Sequence, residues 1–312
     1  MATCIDERDV EMHSECDSEA PEKQQWQHED MLTKSGHFPQ VAWRVVVNKL
    51  GVDAIEALHM GMINKLYGRH YEYFPISVKP ADAGHAGASR NRVYIILAHR
   101  EKVVLRYDPQ DLYDSITKAV SRMIRTEPRD YLIADHRHLR LESEYVARLR
   151  GKSYRPNAPS WVYLLNDREK KVLSTLNKTY KTKFKKQPTA EPNLVFFLGD
   201  SDKRTTWSAT SGRVPTLRMN RGKLFLPSKR RWLCAVEKLA TLGFPVAPGQ
   251  AMAMEVPQLP VLDIHRASLI AGNSMNFANV CIVQLVALTC FAPHDCVSLA
   301  DFGLWLNGPV CC

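Results

Sequence analysis

The chain has 312 residues, of which 45% are hydrophobic, and carries a formal net charge of +9. This length is enough for one large hydrophobic core or two modest ones. The charge is uneven, because residues 1–30 contain ten acidic and two basic residues, a net of −8, which leaves +17 for residues 31–312. A basic region that follows an acidic segment indicates that the basic region binds a polyanionic partner. A solvated basic surface explains the charge equally well.

The cysteines, histidines and apolar runs exclude several classes of protein. The eight cysteines contain no Cys-x-x-Cys pair and follow no N-terminal apolar segment, so neither a disulfide framework nor a secretory signal is predicted. We expect a reducing, intracellular compartment, the nucleus in a eukaryote. The longest apolar run, residues 280–292, is shorter than the ~20 residues that span a bilayer, so no membrane partner is expected. The pairs around His136 and His294 lack the four ligands of a zinc site, so no metal is predicted.

The first third of the chain predicts a tail, two helices and two strands. Residues 1–36 are acidic and lack apolar periodicity, which is typical of a disordered tail. Apolar residues at helical spacing predict two helices over residues 41–67, divided at Gly51. Strands are predicted over residues 71–78 and 93–97, and the second has the short apolar run of a buried strand.

The rest of the chain predicts a mixture of helices and short strands. Apolar patterns favour helices over residues 111–124, 142–149, 167–180, 233–242 and 274–288. Short strands are predicted over residues 194–198, 216–218 and 223–226. The last helix is apolar on most of its surface, which indicates burial. This mixture is that of an α/β chain.

Residues 231–245 carry the most specific motif in the sequence. They read Arg-Trp-Leu-Cys-Ala-Val-Glu-Lys-Leu-Ala-Thr-Leu-Gly-Phe-Pro. This segment resembles the ninth motif of the DNA (cytosine-5) methyltransferases, which runs Arg-x-Leu-Thr, has a glutamate after two further residues, and closes on Gly-Phe-Pro. An ordinary capped helix is the alternative, but such a helix does not require its residues to match the ninth motif in register. Cys234 replaces the usual threonine, and six positions match: Arg231, Leu233, Glu237, Gly243, Phe244 and Pro245.

A second segment, Ala271-Gly-Asn-Ser-Met275, is similar to the tenth motif of the same family, Gly-Asn-Ser-Val followed by a helix. In the family this turn lies beside the pocket for S-adenosylmethionine. The resemblance therefore implies that Asn273 and Ser274 bind this cofactor, with backbone donors at a helix N-terminus that cradle its carboxylate. A plain N-cap is the alternative reading.

A third segment, Ala88-Ser-Arg-Asn-Arg92, precedes the second predicted strand and is similar to the eighth motif, Gln-x-Arg-x-Arg. Arg90 and Arg92 match, and Ala88 replaces the glutamine. In relatives these arginines lie near the target base, so the resemblance implies that Arg90 and Arg92 belong to the catalytic site. Two surface arginines at the start of a strand are the alternative.

The resemblance covers about residues 40–290 and implies a partial Rossmann-like methyltransferase domain with an inserted basic target-recognition region. Residues 37–149 and 232–292 correspond to the two parts of that domain. Residues 150–231 correspond to the target-recognition region, and residues 293–312 to a tail.

The basic region is the predicted DNA-binding surface. Residues 150–231 contain 20 basic and five acidic residues, and a cluster at 178–186 interleaves lysines with Tyr180 and Phe184. Such a surface suits contacts with phosphates. A nuclear-import patch or a solvated helix face is the alternative for the cluster alone. The DNA-binding residues predicted from it are Lys181, Lys183, Lys185 and Lys186.

The catalytic motifs of the family are absent from the sequence. Family chemistry adds a cysteine thiolate to cytosine C6, and a glutamate assists before methyl passes from S-adenosylmethionine to C5. The chain contains no Pro-Cys, no Glu-Asn-Val and no Gly-x-Gly. We therefore expect either a methyltransferase fragment whose first half lies upstream or in a separate chain, or a non-catalytic DNA-binding relic or regulatory partner. Either way, the chain by itself is expected to be inactive.

Overall fold

A three-stranded antiparallel sheet forms the core of the N-terminal part of the protein. The computed structural model describes residues 43–48, 64–218 and 222–294. The strands are β1 (Trp43–Asn48), β2 (Tyr71–Val78) and β3 (Arg92–His99), and β3 pairs antiparallel with both neighbours. Alternate side chains of β3 enter two different buried clusters, one on each face. Both strands predicted here are therefore confirmed.

The helix predicted for the start of this part is wrong over residues 43–48, which form β1. Three consecutive valines, Val45 to Val47, favour an extended backbone, because a β-branched side chain packs well on a pleated surface. Pairing with the distant β3 then decides the conformation. Helix α1 (Asn64–Tyr67) has only four residues. Gly51 and the predicted acidic tail lie outside the described residues.

The remaining elements give a mixed α/β fold, and the named strands all pair antiparallel. The longer helices are α2 (Pro109–Met123), α3 (His136–Leu149), α4 (Asp167–Phe184), α5 (Ala235–Thr241), α6 (Pro248–Ala253), α7 (Ile264–Asn273) and α8 (Phe277–Cys290). The short strands are β4 (Val103–Leu105), β5 (Phe196–Phe197), β6 (Leu224–Leu226), β7 (Arg231–Trp232) and β8 (Phe291–Pro293).

Helices α2 and α8 cover one face of the first sheet. Tyr113 from α2 and Val286 from α8 are buried in one cluster with Ile96 from β3. Helix α2 begins after Asp108, whose carboxylate accepts hydrogen bonds from two backbone N–H groups. The helix predicted here is thus confirmed, with a start two residues earlier than expected.

A second core fills the space between α3, α4 and the sheet β5-β6-β7. Trp232, Phe196 and Leu176 are among its fully buried side chains. Helix α4 begins with a capping box formed by Asn166 and Glu169, and runs four residues beyond its predicted end. Helix α3 begins six residues before its predicted start and shares this core with the basic region.

The strand predicted over residues 216–218 is wrong. This segment makes no ladder, and nearby only an isolated parallel bridge joins Ala88 to Val214. The hydroxyl of Thr216 instead donates to the carbonyl of Ser89 at 2.8 Å. A single side-chain hydrogen bond thus takes the place of strand pairing.

Helices α6 and α7 were not indicated by the sequence. Helix α7 packs on α5, where Ala267 and Ala271 are buried against Leu239 and Leu242. Helix α8 begins at Phe277, three residues after its predicted start. No single helix among the described residues has the length and apolar composition of a membrane span, which α7 and α8 reach only as a pair bent by 46°.

Candidate functional site

Arg90 lies where three separated segments of the chain meet. The residue is only 3% exposed. Its guanidinium donates to the carbonyl of Leu217 at 3.1 Å and to the carbonyl of Gly272 at 3.2 Å. The adjacent backbone is paired as well, because the N–H of Ser89 donates to the carbonyl of Val214 at 3.1 Å. One side chain thus joins the Arg-x-Arg segment, the end of the basic region and the Ala-Gly-Asn-Ser turn.

Arg92 lies two residues further on, at the first position of β3. It is half-buried, and its Nη1 donates to the carbonyl of Asn91 at 2.6 Å. Burial and then the charge of Arg92 lower the pKa of Arg90 to about 10, and burial lowers the pKa of Arg92 as well. The Nε atoms of both arginines are buried and have no hydrogen-bond partner among the described residues. Their catalytic role stays a prediction, while the structural role of Arg90 is visible.

Glu237 forms a buried ion pair with Arg231. Arg231 donates two parallel hydrogen bonds to the Glu237 carboxylate, both 2.7 Å long. Burial by itself lowers the pKa of Arg231. The hydrogen bonds to Glu237 and the negative charge of Glu237 have the larger effect, so the pKa of Arg231 is raised. The carboxylate also accepts from the backbone N–H of Cys234 at 2.9 Å and of Ala134 at 3.3 Å. It therefore joins β7, the start of α5 and the end of the turn before α3.

The Gly-Phe-Pro segment ends α5 abruptly. Gly243 has a φ of +73°, and a Cβ there would lie 2.9 Å from the Nε2 atom of His85. Any other residue is therefore disfavoured by backbone conformation and by space. The ring of Phe244 packs at 5.5 Å from the ring of Phe277, and the N–H of Phe277 donates to the carbonyl of Leu242 at 2.7 Å. The end of α5 is thereby tied to the start of α8.

The cofactor cradle expected at Asn273 and Ser274 is wrong in its geometry. Asn273 is the last residue of α7, and the backbone N–H of Ser274 donates back to the carbonyl of Ile270 at 2.8 Å. The Asn273 amide donates to the carbonyl of Leu269 at 3.1 Å. These donors are satisfied within the helix, because the residues lie at its C-terminal end. Asn276 caps α8 instead, so the described residues do not fit the carboxylate of S-adenosylmethionine in the way the sequence implied.

The predicted DNA-binding lysines lie together on the exposed end of α4. Lys181, Lys183, Lys185 and Lys186 are all exposed. Helix α4 ends when Lys185 adopts a left-handed backbone with a φ of +56°. No ion pair with a described acidic residue involves these four lysines. The structure thus presents them as one unneutralised cationic surface.

The aromatic residues of this cluster have a different place. Tyr180 is buried and packs edge-on against Trp207 at 6.0 Å, so it is not available to stack on a base. Phe184 is half-buried, and the ammonium of Lys183 lies 5.6 Å from its ring centroid. The interleaved aromatics therefore anchor the helix, and the lysines face the solvent.

A second cationic surface was missed by sequence reasoning. A groove of about 540 Å³ is lined by Arg140, Lys229, Arg230 and Arg231, with Trp161 as an aromatic wall. Arg231 is bound to Glu237, whereas Lys229 and Arg230 are exposed. These residues come from three separate parts of the chain, so only the fold brings them together. Lys229, Arg230 and Arg231 are consecutive in the sequence, but nothing in the sequence indicates that Arg140 and Trp161 lie beside them.

The described thiols are unsuited to nucleophilic attack. Cys234 is buried, and burial raises its pKa well above the usual value. Burial also raises the pKa values of Cys281 and Cys290. A thiolate nucleophile needs the opposite shift. No described cysteine therefore replaces the missing Pro-Cys motif.

No model of a known protein family matches the chain, and no curated protein matches it significantly.

Proposed function

We propose that this chain is a DNA-binding protein built on the late half of a DNA (cytosine-5) methyltransferase-like, Rossmann-like fold, and that it does not transfer methyl groups by itself. One observation carries the proposal. Arg90, from the first of the three segments that resemble family motifs, donates to the carbonyl of Gly272, from the last, at 3.2 Å, although the two residues are 182 positions apart in sequence.

The middle of the three segments, residues 231–245, lies close to the contact between Arg90 and Gly272. Helix α5, which follows Arg231 and contains Glu237, packs against α7, which ends in Gly272 and Asn273. Chance matches at distant positions have no physical reason to meet in space. A shared origin with the family gives that reason, because such motifs form one site in the folded domain.

The charge distribution supports DNA as the ligand. Residues 150–231 carry a net charge of +15, and four of the five acidic residues there are held in ion pairs, such as Glu169 with Arg150 and Asp200 with Arg218. The lysines at the end of α4 form no ion pair with a described acidic residue. Each cation that neutralises a phosphate releases a counterion, so affinity for a duplex becomes strongly dependent on salt.

The experiment that tests this proposal is the salt dependence of duplex-DNA affinity. The variant replaces Lys181, Lys183, Lys185 and Lys186 with alanine. We expect the log–log slope to fall by about 3 to 4, since each lost phosphate contact removes about 0.9. The matched control removes four exposed cations outside the basic region, Lys102, Lys118, Arg122 and Arg125, and should keep the slope. Equal slopes for the first variant and the unchanged protein would remove this surface from the interface.

A second candidate function is favoured by the outer face of α8. Leu285 and Leu288 are 53% and 63% exposed, and Leu105 near the end of that helix is 49% exposed. In the family the tenth motif packs against the half of the domain that holds the cofactor loop. We therefore also propose that a separate chain with that half can bind here and supply S-adenosylmethionine chemistry. Co-purification that is lost in Leu285→Lys and retained in Lys102→Ala would support it, and unchanged co-purification would reject this face.

A further inference from the structure

A cavity lies beside Leu217 and Gly272, the two residues whose carbonyls accept hydrogen bonds from Arg90. It is separate from the lysine cluster at the end of α4 and from the groove lined by Lys229 and Arg230. It has a volume of about 130 Å³ and lies between α3, β6 and α7. Apolar walls come from Val146, Leu224 and Ile264, and two lysines, Lys223 and Lys238, reach it from other segments. Its volume is close to the roughly 150 Å³ of a cavity that accepts benzene, so by size it suits a compact ring or a short branched chain.

Lys223 is the unusual group in this cavity. The residue is 9% exposed, and its ammonium lies 4.5 Å from the ring centroid of Trp232. Its ion-pair partner among the described residues is Glu142, at 3.7 Å, which is too long for a hydrogen bond. A largely buried ammonium whose donors have no protein acceptor within hydrogen-bond distance among the described residues must be satisfied by water or by a ligand in the cavity.

Glu142 cannot move to satisfy Lys223, because its carboxylate is already held. Its Oε1 accepts from the indole N–H of Trp232 at 2.8 Å, and its Oε2 accepts from the backbone N–H of Ala235 at 3.2 Å. Both hydrogen bonds are buried and fix the carboxylate in place. A further acceptor for Lys223 must therefore come from outside the described residues.

The charges around the cavity select the ligand. Four cations line it, and two of them are neutralised nearby, Arg150 by Glu169 and Arg218 by Asp200. Lys223 and Lys238 then face one carboxylate, that of Glu142, and Lys238 acts on Lys223 as a like charge. One positive charge is left in excess. A single negative charge between the two lysines completes the site.

We propose that this cavity binds a small monocarboxylate with a compact apolar body, whose carboxylate lies between the ammonium groups of Lys223 and Lys238. Charge-assisted hydrogen bonds hold the carboxylate, and the apolar walls from α3, β6 and α7 hold the body. The proposal does not depend on DNA binding, because none of the lysines predicted to contact DNA lines the cavity.

The test is calorimetric titration of the full chain with benzoate, in the absence of DNA. We expect saturable one-to-one binding, and affinity for the neutral analogue benzyl alcohol that is lower by about tenfold or more. Lys223→Met and Lys238→Met should each weaken benzoate binding by about tenfold or more, and the exposed control Lys102→Met should not change it. Lys238 is only half-buried, so its variant keeps the test valid if Lys223→Met does not fold.

Two results would overturn the inference. The first is no saturable benzoate binding by the folded wild-type chain. The second is binding of equal strength by benzoate and benzyl alcohol, or by the wild type and Lys238→Met. Inorganic phosphate that binds in place of benzoate, with the same loss in Lys238→Met, would also reject a monocarboxylate and indicate a phosphate site.

Discussion

Arg231 and Glu237 hold each other through two parallel hydrogen bonds of 2.7 Å, and the Glu237 side chain is completely buried. Because the pair joins β7 to α5, Glu237→Gln leaves the Arg231 charge buried without its partner. We expect a loss of about 3–5 kcal/mol in the free energy of unfolding, as is typical when one member of a buried pair is removed. Denaturant titration at neutral pH measures it.

The control for this prediction is an exposed pair. Arg100 and Glu72 lie 3.8 Å apart, and both side chains are about half exposed. Glu72→Gln should therefore cost less than about 1 kcal/mol. Equal losses of unfolding free energy in the two variants would show that the buried pair stabilises the protein no more than the exposed pair does.

Elements that depend on local interactions could be predicted from the sequence, whereas elements that depend on contacts between distant residues could not. The strand β3 and the helix α2 follow from local apolar runs and a capping aspartate, and both are observed. The strand β1 was predicted as a helix, because its valines fit either period and only the distant β3 decides between them. The pairing of Glu237 with Arg231 joins two residues that are only six positions apart, within one motif.

The predictions that failed in the candidate site also depended on tertiary contacts. The Gly-Asn-Ser turn was expected to begin a helix, and instead it ends α7, which the sequence did not indicate. Tyr180 was expected at the surface beside its lysines, but it is buried against Trp207. The contact of Lys223 with Glu142 links residues far apart in sequence, so no local pattern could reveal it.

Lys223 should make stability depend on pH. Burial lowers its pKa from 10.5 to about 8, so between these values the unfolded chain binds the proton that the folded chain has lost. The wild type should therefore gain stability relative to Lys223→Met as pH rises from about 8 to about 10.5, by up to about 3 kcal/mol. Unfolding free energies of both proteins across this range provide the measurement. A constant difference would mean that Lys223 is not desolvated.

Binding of S-adenosylmethionine by the isolated chain should be weak or undetectable. The donors of Asn273 and Ser274 are bound within α7, and the family's Gly-x-Gly loop is absent from the sequence. Calorimetric titration with the cofactor measures this directly. Tight one-to-one binding would reject the prediction and would mean that other residues form a pocket.

Methyl transfer by the isolated chain should be absent. Cytosine C5 becomes nucleophilic only after a thiolate adds at C6, and the described thiols of Cys234, Cys281 and Cys290 have raised pKa values. The assay is incorporation of radiolabelled methyl into duplex DNA that contains cytosine. Robust incorporation that one cysteine-to-serine substitution abolishes would identify a nucleophile and overturn this prediction.

The most direct test of the proposed function is lysine footprinting, by acetylation of the folded chain with and without duplex DNA, followed by peptide mass spectrometry. We predict that DNA slows acetylation of Lys181, Lys183, Lys185 and Lys186, and leaves acetylation of the exposed Lys102 and Lys118 unchanged. Acetylation of the four lysines at the same rate with and without bound DNA would contradict it, as would protection confined to Lys102 and Lys118.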